Sequence, residues 1–130
     1  MHGQARVFTL IPQNAQASNA VVSGTLLVNN LEARVLLDPG ITHSFMSPAF
    51  ILKLGVLLEE RYEPMYVDTP LGESVKVSLV FPSCPVVIEG RKLVANLMVL
   101  PILGFDVILG MDWLANHYAT LECREKKVVF

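Results

Sequence analysis

The stretch "VLLDPGITHSF", residues 35–45, places one aspartate, Asp38, at the end of an apolar run and follows it with Pro39 and Gly40. Aspartate, proline and glycine are common turn residues, so one interpretation is a simple surface turn. The other interpretation is a catalytic loop, in which a buried strand carries a carboxylate to a fixed position. The rest of the chain bears on the choice between them.

The composition fits a single globular domain. A chain of 130 residues can bury roughly two thirds of the surface that it exposes when unfolded. Apolar residues make up 52% and charged residues 17%, which is compatible with a dense core or with a hidden subunit interface. No apolar run approaches the ~20 residues of a membrane-spanning helix, so we expect no membrane partner.

Charge and cysteine content argue against a nucleic-acid-binding protein, a disulfide scaffold and a metal site. The net charge is −2 and the basic residues are scattered, which argues against nucleic acid as the main partner. Cys84 and Cys123 are too few for a disulfide scaffold and lack the spacing of metal ligands. We therefore expect reduced thiols in an intracellular setting, with no metal and no cofactor.

Alternating apolar residues predict a β domain that follows an N-terminal segment. Residues 1–20 are polar and rich in Ala, Gln and Asn, and we expect an arm or linker there, with the folded domain in 21–130. Apolar residues alternate on both sides of Asn29 and Asn30, which predicts a hairpin because asparagine tolerates a positive φ. The second strand of this hairpin leads directly into Asp38.

Two local signals follow this loop. Ser47 suits a helix N-cap and Pro48 the first helical position, so a short helix is predicted from there to Gly55. Farther along, apolar residues alternate before and after residues 70–73. This pattern predicts a second hairpin with its turn at "PLGE".

The last part of the chain predicts more strands and one more helix. Residues 86–88 and 93–99 are expected to pair as a third hairpin around Gly90. The stretch "VILG", residues 107–110, is expected to be a strand that leads into a short helix, and a charged hairpin ends the chain. With roughly eight short strands, the expected fold is an all-β barrel or sandwich with helical decoration.

Two of these stretches resemble known aspartic protease motifs. "LLDPG", residues 36–40, is similar to the apolar-apolar-Asp-Ser/Thr-Gly loop, and "VILG" to the strand that crosses beside it. The longer stretches "THSFMS" and "VILGMDWL" resemble the protease domain of gypsy-type LTR retrotransposon polyproteins, over about residues 20–130. The resemblance implies a retropepsin-like closed barrel with one or two short helices. It also implies a homodimeric aspartic endopeptidase that processes its own polyprotein, in the cytoplasm within a virus-like particle.

The chemistry of such an enzyme needs two carboxylates that share one proton across a water molecule. The chain offers one aspartate in the required loop, Asp38, so the partner must come from a second copy across a two-fold axis. We therefore expect Asp38 to be catalytic in a homodimer that binds peptide substrates. Asp68, Asp106 and Asp112 are weaker candidates, for which structural roles are the better interpretation.

The resemblance implies further site residues around Asp38. Pro39 and Gly40 would form the active-site loop, with Gly40 allowing a tight turn beside the water site. Thr42 matches a position that contacts substrate backbone in the family, although a structural hydroxyl explains it equally well. A flap over the bound peptide would close with the turn residues Thr69, Pro70, Leu71 and Gly72; a surface hairpin without function is the alternative. His43 has no second ligand at metal-binding spacing, so we expect an ordinary histidine there.

Four positions depart from the family pattern. Pro39 stands where relatives have Ser or Thr, whose hydroxyl and N–H form hydrogen bonds across the dimer axis. Proline lacks both donors, so we expect a weaker dimer. Ile41 replaces a small residue and is expected near the substrate subsites. Thr42 and Met111 occupy positions that form an ion pair in retroviral relatives, and the loss of both leaves no lone buried charge.

Two other functions stay open at this stage. Pro39 and Ile41 favour a catalytically impaired, retropepsin-like module that binds peptides or self-associates. The third candidate is a plain β-barrel interaction module in which residues 38–40 are only a turn. The long match over residues 107–114 argues against this third interpretation.

Overall fold

The computed structural model describes residues 4–5, 21–68, 72–122 and 124–130. Strands account for 54% of the structure and helices for little of it, so the prediction of a mostly β protein is confirmed. Within the described part of the chain, no helix has the length and apolar character needed to cross a membrane.

The described elements follow one another in chain order. The strands are β1 (Gln4–Ala5), β2 (Val22–Val28), β3 (Leu31–Leu37), β4 (Ser44–Met46), β5 (Glu59–Asp68), β6 (Ser74–Cys84), β7 (Val86–Ile88), β8 (Arg91–Lys92), β9 (Ala95–Val99), β10 (Val107–Leu109), β11 (Thr120–Glu122) and β12 (Lys127–Val129). The helices are α1 (Pro48–Leu54), between β4 and β5, and α2 (Met111–Asn116), after β10. Ten strands form one sheet in the order β1-β5-β6-β9-β4-β10-β3-β2-β7-β8, and β11 pairs with β12 separately.

The crossing of β10 between β3 and β4 positions the loop that carries Asp38. β10 runs parallel to β3, with Val107 opposite Val35, and antiparallel to β4, with Val107 opposite Met46. The loop of residues 38–43 connects β3 to β4, so it spans the end of the strand inserted between them. The carboxylate is thereby held at the edge of three hydrogen-bonded strands rather than on a free loop.

The central strands are apolar without interruption because both of their faces are buried. Val35 and Leu37 of β3 point into one cluster of buried side chains, and Leu36 points into another. Strands covered on both faces read as continuous apolar runs instead of alternating ones. This explains "VLL" before Asp38 and "VIL" in β10.

The two clusters can be named by the elements that cover them. The helix core consists of Val22, Val28, Ala33, Val35, Leu37, Met46, Phe50, Cys84, Val86, Ala95, Leu97, Val107, Leu109, Trp113 and Leu114. The hairpin core consists of Val21, Leu36, Ile41, Phe45, Met65, Val67, Val77, Met98, Leu100 and Ile108. The first receives side chains from α1 and α2, and the second from β5 and β6. The Asp38 loop therefore lies between two packed layers.

Local signals in the sequence predicted several elements correctly. β2 and β3 pair in the predicted hairpin, with Asn29 at φ 51° and Asn30 at φ 68°. The Ser47 side chain accepts a hydrogen bond from the Phe50 N–H at the start of α1, and Gly55 ends this helix at φ 64°. The β5–β6 pair and the terminal β11–β12 pair are also confirmed.

The predicted third hairpin is wrong in its second strand. β7 pairs with the two-residue β8, whereas β9 lies between β6 and β4 and does not pair with β7. Alternating apolar residues predict a strand but do not specify its neighbour, and the turn at Gly90 supplies only a short return strand. The predicted arm over residues 1–20 lies outside the described residues except for Gln4–Ala5, which runs parallel to β5.

Candidate active site

Asp38 is buried at the end of β3 and fixed by backbone hydrogen bonds. The chain turns sharply after it, because the Ile41 N–H donates to the Asp38 carbonyl oxygen at 3.3 Å. The Asp38 N–H donates to the carbonyl oxygen of Leu109 at 3.0 Å, which ties the loop to β10. Asp38 is only 9% exposed. A single carboxylate is thus held at the rim of the packed sheet.

Burial controls the protonation of the Asp38 carboxyl. Loss of hydration raises its pKa above the ordinary value of 3.8, while the Gly40 N–H, which donates to Oδ1 at 2.8 Å, acts in the opposite direction. The effect of burial is the larger one. Among the described residues no cation lies within ion-pair distance of Asp38. Such a carboxyl keeps its proton to a higher pH than an exposed one, as a proton-sharing pair requires.

We expect the folded state to lose stability as Asp38 ionises. A raised pKa in the folded state means that the folded protein binds this proton more tightly than the unfolded chain does. The resulting stabilisation is complete below pH 3.8 and is lost as pH rises through the higher folded-state pKa. Asp38→Asn cannot ionise, so its melting temperature should rise relative to wild type across this pH window. Thermal unfolding from about pH 3 to pH 7 measures the difference.

The difference between the two proteins isolates Asp38 from the other carboxyls. Glu125, whose pKa is raised by its hydrogen bond to Glu122, is present in both proteins and cancels. A melting-temperature difference that is the same at every pH would show that Asp38 titrates at its ordinary value.

The start of α2 holds the loop from the other side. The Met111 N–H donates to the Ile41 carbonyl oxygen at 2.7 Å, and the Asp112 N–H donates to that of Thr42 at 3.1 Å. The first N–H groups of a helix have no partner within the helix, so they are free to bind these loop carbonyls. The turn after Asp38 is therefore fastened to α2 at two consecutive residues.

Gly110, between β10 and α2, has no room for a side chain. A Cβ at this position would lie 2.5 Å from the carbonyl oxygen of Ile41 and closer still to that of His43. The backbone of Gly110 is extended at φ −98°, so the requirement for glycine comes from space and not from an unusual dihedral angle. The match of "VILG" to the protease motif thus has a physical cause here.

A buried side-chain link joins the same two segments. Ser44 is 0% exposed, and its Oγ accepts a hydrogen bond from the Gly110 N–H at 3.0 Å while donating to Oδ1 of Asp112 at 2.7 Å. The Trp113 N–H also donates to Asp112 Oδ1, at 2.7 Å. A structural role for Asp112 was predicted from its position at the start of a helix, whereas no role was predicted for Ser44. The sequence feature that could have identified Ser44 is its hydroxyl next to the apolar residues of a buried strand. A buried polar group needs a hydrogen-bond partner, so a partner elsewhere in the chain was to be expected.

The remaining predicted site residues lie in the loop after Asp38 and in the turn between β5 and β6. Pro39 is half-buried, and Gly40 and Thr42 are exposed. The Thr42 hydroxyl lies 2.9 Å from Nδ1 of His43, so it has a local partner within the loop. Gly72 is exposed with φ 86°, whereas the other flap candidates, Thr69, Pro70 and Leu71, lie outside the described residues.

Ile41 lies beneath the long hairpin. Its side chain is 4% exposed and belongs to the hairpin core, with Val67 of β5 and Val77 of β6. Its place near the substrate subsites stays a prediction. Among the described residues, no group of three or more His, Cys, Asp or Glu side chains is arranged to hold a metal ion.

The fold and this loop define a class of protein. A mostly β chain that carries one aspartate in an Asp-x-Gly turn, hydrogen-bonded to a crossing apolar strand and the helix after it, has the architecture of an aspartic protease of the retropepsin type. The sequence profile of the retroviral aspartyl protease family matches residues 2–130, and the chain belongs to this family.

Solved structures share the fold. The retroviral protease-like domain of Ddi1 from Leishmania major is 16% identical with a TM-score of 0.68, covering 85% of this chain and 88% of that one. The EIAV protease complexed with the inhibitor HBY-793 is 24% identical with a TM-score of 0.57, covering 76% and 89%. At these identities the likeness concerns the fold alone. A search of curated proteins finds no match.

Proposed function

We propose that the protein is an aspartic endopeptidase that is active as a homodimer, with Asp38 of each chain forming the catalytic pair. The observation that carries the proposal is the single buried aspartate at the end of β3, with a raised pKa and a fixed Gly40 N–H contact. One chain supplies one such carboxylate, and the reaction needs two. A two-fold axis beside the loop supplies the second.

The two carboxyls would divide the work through one shared proton. Two carboxylates about 3 Å apart cannot both ionise, so one is protonated and the other is charged. The charged one takes a proton from a water molecule held between them, and that water attacks the carbonyl carbon of the peptide bond. The protonated one donates a hydrogen bond to the carbonyl oxygen as negative charge develops there. The proton taken from the water is then passed to the leaving amine.

Peptide binding would use the exposed edge of the same loop and the long hairpin. Gly40 and Thr42 face solvent beside Asp38 and offer backbone groups to an extended substrate. The β5–β6 hairpin packs on the loop through Ile41, and its turn, with Thr69, Pro70, Leu71 and Gly72, would close over the peptide and exclude water.

The proposed biological role is polyprotein processing, and the proposed form of the sheet is a closed barrel. The resemblance of "THSFMS" and "VILGMDWL" to gypsy-type retrotransposon proteases supports processing of a polyprotein, with the cytoplasmic virus-like particle as its site. The ten-stranded sheet, with its two packed cores, would close into a barrel as the family fold implies.

Cleavage of a mixed peptide library tests the enzymatic proposal. The protein should cleave peptides at acidic to neutral pH without added metal, and the cleavage should require Asp38. A folded sample that cleaves nothing at any protein concentration or pH would refute the enzymatic function.

The alternative is a retropepsin-like module that binds peptides or self-associates without catalysis. Pro39 favours it, because the residue lacks the hydroxyl and the N–H that would join two loops across the axis. Ile41, the other residue that favours it, is buried in the hairpin core, beneath the hairpin that would close over a peptide. The alternative therefore rests on these two residues.

Pro39→Ser should strengthen the dimer. Serine restores a hydroxyl and an N–H at the proposed axis, and each recovered hydrogen bond contributes about 1 kcal/mol. With one set from each chain, the dimer dissociation constant should fall about tenfold or more. Sedimentation equilibrium of the wild type and the variant measures this change.

Pro39→Ala is the matched control for that substitution. It removes the ring and restores the N–H but supplies no hydroxyl, so its dissociation constant should lie between those of wild type and Pro39→Ser. A serine variant that dimerises no more tightly than wild type would show that residue 39 does not lie at the subunit axis.

A further inference from the structure

The loop that carries Asp38 is fastened to the β10–α2 segment along its length. Asp38 itself is bonded to Leu109, and Ile41 and Thr42 are bonded to the first two N–H groups of α2. These three hydrogen bonds join backbone atoms, so they do not depend on which side chains the loop carries. They require only that α2 begins at the right place and in the right direction.

Side-chain hydrogen bonds join the first turn of α2 to β4 at one point, and the Trp113 Nε1–H separately donates to the Leu93 carbonyl oxygen at 3.1 Å. Ser44 Oγ lies between the Gly110 N–H and the Asp112 carboxylate, and Asp112 Oδ1 also accepts from the Trp113 N–H. This carboxylate is therefore the acceptor that joins the first turn of α2 to β4, across 68 positions of the chain. Both distances to Oδ1 are 2.7 Å, in the range of charge-assisted hydrogen bonds.

We propose that Ser44 and Asp112 are a positioning pair for the catalytic loop. In the described structure neither residue is bonded to the Asp38 carboxyl. By fixing α2 against β4, the pair places the Met111 and Asp112 N–H groups where they hold the turn that follows Asp38. The inference rests on the proposed function, because its consequence is a rate of peptide cleavage.

The neighbouring positions explain why this pair carries the role. Thr42 and Met111 have no charged side chains that could form an ion pair between the loop and the helix. The Thr42 hydroxyl is bonded to His43 instead of to α2. Among the described residues, Ser44–Asp112 is the side-chain hydrogen bond that connects the segment after Asp38 with α2.

Substitutions at Asp112 separate positioning from charge. Asp112→Ala removes the acceptor and should lower kcat about tenfold to a hundredfold per folded dimer, because small displacements of catalytic groups are costly. KM should change by a smaller factor than kcat, since among the proposed peptide contacts only Thr42 is bonded to α2. Asp112→Asn keeps an oxygen acceptor in the same place and should retain nearly the wild-type kcat. Should Asp112→Ala fail to fold, Asp112→Glu makes the comparison, because it keeps the charge but moves the acceptor by one methylene group.

Asn96→Ala is the matched control for a purely structural effect. Asn96 Oδ1 accepts a hydrogen bond from the Ser83 N–H at 2.8 Å between β6 and β9, and its side chain has no described hydrogen bond to the Asp38 loop or to α2. This variant should lose stability but keep its kcat. A wild-type kcat in Asp112→Ala, or an equal fall in Asn96→Ala, would overturn the positioning role.

Amide hydrogen exchange gives a second readout that does not depend on activity. The Met111 amide, which binds the Ile41 carbonyl oxygen, should exchange at least about tenfold faster in Asp112→Ala, relative to the global opening rate. Asn96→Ala should leave the Met111 amide unchanged in this respect. Wild-type protein without Asp38-dependent cleavage would refute the proposed function, and the Met111 exchange rate would then decide the structural role of the pair by itself.

Discussion

Asp38→Asn should abolish peptide cleavage while leaving the fold intact. The amide cannot act as a base on the water, and a dimer of variant chains has no proton-sharing carboxyl pair, so the rate should fall about a thousandfold or more. Asp38 is buried without a described cation beside it, so the neutral amide should fit the site without loss of stability. Cleavage of a library peptide by equal amounts of folded protein measures the effect.

A control substitution shows whether the loss of any carboxylate charge lowers the cleavage rate. Glu59→Gln makes the same change, from carboxylate to amide, on an exposed side chain of β5, and it should cleave at the wild-type rate. Comparable activity in Asp38→Asn would refute the assignment of Asp38, whatever the family membership of the chain.

Gly110→Ala should destabilise the protein strongly although it adds only one methyl group. That group would meet the carbonyl oxygens of Ile41 and His43 at distances that real Cβ atoms do not adopt. Both neighbours are backbone groups, so relief requires the loop after Asp38 to move. We expect a loss of about 3 kcal/mol or more in the free energy of unfolding. Urea unfolding of wild type and variant measures it.

Gly24→Ala makes the same chemical change at a position that has room for a side chain. Gly24 lies in β2 beside a cavity of about 200 Å³, and a Cβ there would meet no atom within 4 Å. The substitution should stabilise the protein by about 0.5 kcal/mol, because alanine restricts the unfolded chain more than glycine does. Equal stability changes in the two variants would show that the space around Gly110 is not what demands glycine.

Much of the fold follows from local chemistry that the sequence displays. Asn29 and Asn30 identify the first hairpin because few residues adopt a positive φ, and Ser47 identifies the start of α1 because its hydroxyl caps the helix. The apolar run before Asp38 is explained by a strand covered on both faces. These signals act over a few residues, so they can be interpreted without knowing the tertiary structure.

What the sequence did not predict depends on contacts between distant segments. The pairing of β9 with β4 and β6 is decided by the sheet as a whole, and alternation within residues 93–99 does not contain that information. The burial of Ile41 likewise depends on β5 and β6, which lie farther along the chain. The role of Ser44 depends on its 2.7 Å hydrogen bond to Asp112, which is 68 positions away in the chain.

A subunit-mixing experiment tests whether each chain gives one Asp38 to a shared site. Wild-type protein at a fixed concentration is mixed with increasing amounts of Asp38→Asn, at total concentrations above the dimer dissociation constant. Cleavage should fall toward zero, with about half of the activity left at equal amounts if subunits exchange at random. Activity that stays constant as the variant is added would contradict it, because a chain that cleaves alone is unaffected by an inactive copy.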